Sequence, residues 1–238
     1  MSKANTTVTL PEGVSLRRVA EVLVDAWGAG SHRWTNTPLQ LREDPKPAPP
    51  APVPQDAMEL FRLLLERQVD YLLVGGMAML TYVKGRNTED VNLLLSVAAL
   101  AKIPELKIED QNDFFARGKF RSIQVDLLLT KNPLFKIVLE KFAAKHHFEE
   151  LAVPTATVEG MILLKLFALP SLYRQMDMDR AAIYENDISM LIARHSPTLE
   201  PLIALANQHV EDGDKKELQK IISECRERAK LLRQRAGQ

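Results

Sequence analysis

The sequence has little of what marks secreted, nucleic-acid-binding or membrane proteins. Its 238 residues include one cysteine, Cys225, so no disulfide forms within the chain, which fits a reducing cytosol. The formal net charge is zero, so composition favours no nucleic-acid-binding surface beyond a local basic groove. No apolar run reaches the length of a membrane span, and MSKANTTVTL lacks the apolar core of a signal peptide. We therefore expect a cytoplasmic protein with no membrane partner.

Proline divides the chain into a leader and a main body. Within residues 1–44, VSLRRVAEVLVDAWG carries apolar residues at helical spacing, which predicts one amphipathic helix that docks on the body or on a partner. Residues 45–54 are too rich in proline for a helix or an inner strand and predict an extended linker. The body is predicted to comprise an α/β core at 55–132 and a helical domain at 133–238.

The body alternates short helical and strand patterns before it becomes helical. QDAMELFRLLLERQV and MAMLTYV read as helices, and DYLLVGG and TEDVNLLLS read as strands. Two further strands are predicted on either side of a turn at Arg117-Gly118, and helices are predicted from Pro133 to the end. The fold class is therefore α+β: a small mixed sheet with flanking helices, followed by a C-terminal helical bundle.

Polar residues within two of these strands are candidate ligands of a metal ion. Side chains at i and i+2 of a strand point to the same face, so Asp90 and Asn92 project together. Asp126 is a lone acid among aliphatic residues, which is costly unless something pairs with it. If the strands are neighbours, the three side chains converge, and such oxygen ligands suit Mg²⁺ together with substrate phosphates.

A glycine pair precedes the acidic strand. Gly75 and Gly76 end a strand and open a helix, where backbone N–H groups can approach an anion closely. Phosphates on this turn and a metal at Asp90 form the geometry of nucleotidyl transfer, in which a metal activates a hydroxyl for attack on the α-phosphorus.

These residues resemble a known superfamily. The glycine pair, the stretch from Arg86 to Asn92 and the later Asp126 resemble the DNA polymerase β-type nucleotidyltransferases. The similarity covers about residues 57–210 and is greatest to the minimal and AbiEii-like branch, many of whose members are toxins of toxin–antitoxin or abortive-infection systems.

The resemblance implies an activity and a set of site residues. It implies transfer of a nucleoside monophosphate from a nucleoside triphosphate to a hydroxyl of RNA (such as tRNA) or of protein, with Mg²⁺ as cofactor and an antitoxin as a partner. Asp90 and Asp126 would be catalytic and would hold Mg²⁺ together with Asn92. The same pattern implies that the nucleotide is bound by Gly75, Gly76, Arg86, Thr88 and Lys165. It also implies that Arg180 and Asp187 hold the binding residues in position without contacting the nucleotide.

The sequence departs from the pattern at two places. The superfamily has aspartate where this chain has Asn92, and Asn186-Asp187 stands where a lysine-aspartate pair is usual. An amide oxygen can bind Mg²⁺ but brings no negative charge, so the affinity for the catalytic metal ion is reduced most. The chain is therefore either a slow or one-metal transferase, or an impaired nucleotidyltransferase-like protein that binds a nucleotide or a protein partner.

Several side chains also have simpler structural interpretations. Arg86 could form a local ion pair, and Thr88 could cap the turn into the strand. Lys165 lies in an apolar helix, from which it either reaches the cleft or extends to the surface. Asp187 and Arg180 could form an ion pair on one helix face. His146 and His147 are predicted at the surface and not as zinc ligands. These alternatives stay open at the level of sequence.

Overall fold

The computed structural model describes residues 7–8, 53–83, 90–148 and 151–236. Apart from Thr7 and Val8, the leader with its predicted amphipathic helix lies outside these residues, as do nearly all of the linker, Arg86 and Thr88. The strands are β1 (Thr7–Val8), β2 (Tyr71–Val74), β3 (Asp90–Leu95), β4 (Lys107–Gln111), β5 (Phe115–Phe120), β6 (Ile123–Leu129), β7 (Ala143–Phe148) and β8 (Leu151–Ala156). The helices are α1 (Val53–Glu66), α2 (Gly75–Leu80), α3 (Val97–Leu100), α4 (Pro133–Lys141), α5 (Val158–Arg174), α6 (Met178–His195), α7 (Glu200–Asn207) and α8 (Asp212–Ala236).

The described strands form one mixed sheet in the order β1-β7-β8-β2-β3-β6-β5-β4. The pairs β1–β7, β2–β8 and β3–β6 are parallel, and the other neighbours are antiparallel. The predicted α+β class is confirmed, because this sheet with its flanking helices is followed by the helices α5 to α8. In the described part of the chain, no helix is both long and apolar enough to cross a membrane.

The two faces of the central strands differ in character. Along β5 and β6, side chains alternate strictly between buried and more exposed positions, as a strand period of two requires. One face carries Val125, Leu127 and Phe120 and is buried. Leu63 of helix α1 and Phe120 line one cavity on that side of the sheet. The opposite face carries the polar side chains and is called the open face below.

The predicted turn at Arg117-Gly118 is wrong. Both residues lie in the middle of β5, and the chain reverses at Arg121, whose φ is +52°. Gly118 is small because β4 passes close beside it: an added Cβ would lie 2.5 Å from the carbonyl oxygen of Lys107. A glycine within a strand pattern can therefore mark a close backbone approach as well as a turn.

The prediction of helices only after Pro133 is wrong for residues 143–148 and 151–156. These residues form the antiparallel pair β7 and β8, and β8 also pairs with β2 through Leu73 and Thr155. The sheet therefore draws on both sides of the boundary placed at residue 132. Strand β8 was not predicted because it contains Pro154, and proline argues against a strand. Strand β7 was not predicted because its polar and apolar residues do not alternate.

The C-terminal helices have conventional end signals. Thr157 caps α5 by accepting a hydrogen bond from Gly160 N, and Asp177 caps α6 by accepting one from Arg180 N. Helix α6 ends at His195, and the following Ser196 adopts a left-handed conformation (φ +51°) in which its N–H donates to the carbonyl of Ile192. Arg233 of α8 donates to the carbonyls of Ile192 and Ala193 and to Ser196 Oγ, so α8 holds the end of α6.

His146 is buried, contrary to the surface position predicted for it. Tyr82 Oη donates to the carbonyl of Ala156 (2.7 Å), so its oxygen accepts a hydrogen bond from Nε2 of His146 (3.0 Å). The imidazole is thereby assigned as the neutral Nε2–H tautomer. A second proton would have to go to Nδ1, which is buried and has no hydrogen-bond partner among the described residues. Burial accordingly lowers the pKa of His146.

This tautomer predicts a loss of stability in acid. In the unfolded chain His146 binds a proton below a pH of about 6.5, whereas in the fold its pKa is lower. The contribution of the neutral form is therefore complete above pH 6.5 and is lost as the pH falls from there towards the folded pKa. Urea unfolding between pH 5 and pH 8 should show this decline.

The adjacent His147 provides the control because it is exposed on the same strand. His146→Gln keeps a donor for Tyr82 but does not titrate, so it should flatten the acid decline. His147→Gln should leave the decline unchanged. An unaltered decline in the His146 variant would show that His146 is not its cause.

Candidate nucleotide site

The glycine turn and Asn92 are packed directly against each other. Strand β2 ends at Val74, which pairs with Asn92, and Gly75 then adopts a φ of +68°. A Cβ on Gly75 would lie 2.6 Å from Cγ of Asn92. Glycine is therefore required here both by its backbone conformation and by the side chain that fills the adjacent space. The glycine turn is therefore adjacent to the polar strand β3.

The open face carries two rows of polar side chains across three strands. Parallel pairing of β3 with β6 places Asn92 opposite Asp126, and antiparallel pairing of β6 with β5 places Asp126 opposite Arg117; these three residues form the inner row. The outer row lies two residues away on each strand and consists of Asp90, Gln124 and Lys119. The prediction that the three strand residues share one face is therefore confirmed.

Arg117 forms a two-pronged ion pair with Asp126. Nε of Arg117 donates to Oδ1 of Asp126 at 2.7 Å, and Nη2 donates to Oδ2 at 3.0 Å. A third, longer contact comes from Nε2 of Gln124 to Oδ1, at 3.4 Å. Both carboxylate oxygens of Asp126 are therefore already hydrogen-bonded to cationic or amide donors of the neighbouring strands.

The electrostatics of the open face centre on Arg117. The hydrogen bond with Asp126 raises the pKa of the guanidinium, and the charges of Asp126, Asp90 and Asp110 raise it further. Lys119, in the outer row, pairs with Glu109 of β4 at 2.8 Å. Arg117 therefore interacts electrostatically with both Asp126 and Asp90, the two acids to which the superfamily resemblance gives a role in metal binding.

These residues do not fit a site for Mg²⁺. Among the described residues, no three histidine, cysteine, aspartate or glutamate side chains are grouped so as to hold a metal ion. Asn92 is neutral, and Asp126 is neutralised by Arg117. A unit charge about 4 Å away changes the energy of another unit charge by about 4 kcal/mol at an effective dielectric constant of 20, so each missing negative charge weakens divalent binding strongly.

Lys165 lies in the helical half, where it forms a buried ion pair. Its Nζ lies 2.9 Å from Oδ2 of Asp187 and 4.2 Å from the ring centroid of Tyr184. Both charged residues are at most 5% exposed. The ammonium therefore neither extends to the surface nor lacks a counter-ion. Its role towards a nucleotide stays a prediction, as do the supporting roles of Arg180 and Asp187. Asp187 pairs with Lys165, and Arg180 lies in the first turn of α6.

Arg117 is the residue that sequence reasoning missed. Its signal was present: Phe115, Arg117 and Lys119 alternate with Ala116 and Gly118, which is a strand pattern running through the supposed turn. Extending the strand through Gly118 would have placed Arg117 on one face with two other large side chains. Its pairing with Asp126 depends on the register of β5 with β6, which only the structure supplies.

Comparison with known proteins gives distant structural similarities only. No protein-family model matches the chain, and no curated protein matches it. One similar solved structure is an antigenic nucleotidyltransferase-like protein from Paracoccidioides brasiliensis, with a TM-score of 0.43 and 17% identity, over 70% of this chain and 92% of that chain. Another is ANT(2")-Ia in complex with adenylyl-2"-tobramycin, with a TM-score of 0.44 and 10% identity, over 65% of this chain and 96% of that chain. At this level neither similarity assigns an activity to the chain.

Substitution of Gly75 by alanine should destabilise the fold. The added Cβ meets the side chain of Asn92, and alanine does not readily adopt a φ of +68°. We expect a loss of about 2–4 kcal/mol in the free energy of unfolding, measured by urea denaturation. Gly213→Ala is the matched control, because a Cβ there meets nothing within 4 Å.

A second substitution separates the two causes. In the Gly75→Ala background, Asn92→Gly removes all the side-chain atoms that the new Cβ meets, including the Cβ of Asn92 at 2.7 Å. Relative to the Asn92→Gly single variant, Gly75→Ala should then cost less than it does in the native protein, and the remaining cost measures the backbone strain. If Gly75→Ala costs the same in both backgrounds, the contact between the turn and β3 does not determine the residue at position 75.

Substitution of Lys165 by methionine should be costly, because it leaves the Asp187 carboxylate buried without its counter-ion. We expect a loss of about 3–5 kcal/mol in the free energy of unfolding. The double variant Lys165→Met/Asp187→Leu removes both charges and should recover most of it. Lys136→Met is the control, since Lys136 and Glu140 form an exposed pair. A Lys165→Met protein of native stability that no longer responds to nucleotides would instead support the nucleotide role.

Proposed function

We propose that the chain is a nucleotidyltransferase-like protein that binds a nucleoside triphosphate at the glycine turn and open face, and that its capacity for nucleotidyl transfer is impaired. The observation that carries this proposal is the two-pronged pairing of Arg117 with Asp126, next to Asn92. This function corresponds to the second of the two alternatives that the sequence left open.

The charge of the site supports impairment. The superfamily pattern has three carboxylates at these positions, which together attract divalent cations. Here Asp90 and Asp126 are the two remaining acids, and Arg117 offsets one of them. Transfer requires an acceptor hydroxyl to attack the α-phosphorus while pyrophosphate leaves. Of the three carboxylates that would hold metal for this step, one is replaced by the amide of Asn92, and another, Asp126, is paired with Arg117.

Nucleotide binding is supported by different features. The glycine turn places the first backbone amides of α2 beside β3. The N-cap residue of this helix is Val74, whose side chain accepts no hydrogen bond from these amides. Arg117 uses Nε and Nη2 towards Asp126, and its side chain is 50% exposed. Amide groups of the turn and a guanidinium on one surface are suited to phosphate oxygens. The predicted phosphate contacts of Gly75 and Gly76 are part of this proposal.

Thermal unfolding with each of the four nucleoside triphosphates, with and without Mg²⁺, tests the binding half of the proposal. At least one nucleotide should raise the melting temperature. Incubation with labelled nucleotides and either tRNA or protein tests the other half, and no labelled product should form above the level given by the Asp126→Asn variant.

The two assays can fail separately. If no nucleotide raises the melting temperature, the chain does not bind nucleoside triphosphates and the proposal is wrong. Labelled product that requires Asp126 would establish a working transferase, and the labelled species would identify the acceptor as RNA or protein. Label that persists in Asp126→Asn comes from a contaminant.

A further inference from the structure

We propose that Arg117 is a built-in cation at the position where the resemblance places a metal, so that this site is electrostatically complete without a divalent ion. This inference concerns the protein without nucleotide. It therefore does not depend on whether the chain binds nucleoside triphosphates.

The first reason is the position of the guanidinium relative to the acids. Asp126 is only 19% exposed in its side chain and needs a partner for its charge. Arg117 lies directly opposite in register and contacts both carboxylate oxygens. Asp90, in the adjacent row of β3, also acts on Arg117 through its charge. One cation thereby serves the two acids that would otherwise repel each other.

The second reason is that the neutral side chain of Asn92 leaves the row with one negative and one positive charge, those of Asp126 and Arg117. Asn92, Asp126 and Arg117 form one continuous row across β3, β6 and β5. An aspartate at position 92 would place another carboxylate next to Asp126, and a single guanidinium would no longer balance the row. With an amide there, one fixed positive charge suffices. A guanidinium stays protonated at all physiological pH values, so the balance does not depend on a supply of metal.

The third reason is that Lys119, the neighbouring basic residue of β5 on this face, does not pair with Asp126. Lys119 lies in the outer row, opposite Gln124, and its ammonium pairs with Glu109 of β4. It has nearly the same side-chain exposure as Arg117 (54% and 50%) and lies two residues away on the same strand. Lys119 is therefore a matched control for the loss of one positive charge from the open face.

The test uses divalent metal alone as the probe, without nucleotide. The melting temperature of the native protein in EDTA should not change when excess MgCl₂ or MnCl₂ replaces the chelator. Arg117→Gln should melt about 5 °C lower in EDTA, because Asp126 loses its partner and the two acids repel each other. Metal should restore most of that loss. Lys119→Gln should show no response to metal.

A double variant sharpens the test. Asn92→Asp/Arg117→Gln contains three carboxylates and no guanidinium, so its half-saturating metal concentration should be lower by about tenfold or more than that of Arg117→Gln. The melting temperature of Asn92→Asp alone should respond less to metal than that of the double variant, because Arg117 is still paired with Asp126. Arg117→Lys keeps the charge and should not respond.

Either of two results would overturn the proposal. One is binding of Mn²⁺ by the native protein, measured directly by electron paramagnetic resonance, which needs no variant to fold. The other is a stable Arg117→Gln protein that ignores metal. A failure of the native protein to bind nucleotides would contradict the proposed function while leaving these metal measurements unaffected.

Discussion

The contact between Arg117 and Asp126 is the interaction on which the open face depends. Arg117 of β5 and Asp126 of β6 are paired in the backbone register, and their side chains are hydrogen-bonded as well. Asn92 of β3 is the next residue in the same row. A carboxylate within an otherwise aliphatic strand would be unfavourable without a partner. The guanidinium supplies that partner from within the chain. The presence of an acid at position 126 is thus no sign, by itself, of a bound metal.

The sequence predicted the half of this arrangement that follows from local periodicity. Asp90 and Asn92 had to share a face because strand side chains alternate, and the aliphatic residues around Asp126 marked a second strand. The partner across the sheet could not be found in that way, because register is a property of two strands together. Gly118 then concealed the strand that carries Arg117, since a glycine beside an arginine resembles a turn more than a site of close approach.

The same limit explains the other differences. Strands β7 and β8 join the sheet through pairing with distant residues, and Pro154 within β8 argues against a strand when it is considered alone. Lys165 was expected either in the cleft or at the surface. Its true partner, Asp187, lies on the next helix, where packing of α5 against α6 brings the two charges together. Composition and spacing contain no information about such contacts between elements.

The contact between Gly75 and Asn92 has a consequence for the identity of residue 92. Space beside the glycine turn limits how large that side chain can be, and asparagine and aspartate have almost the same shape. Steric selection at this position therefore cannot discriminate between them. The choice between amide and carboxylate is left to charge, and the charged residues in the same row are Asp126 and Arg117. The size of residue 92 is thus limited by Gly75 at the start of α2, whereas its charge is balanced within a row that ends at Arg117 of β5, two strands away from β3.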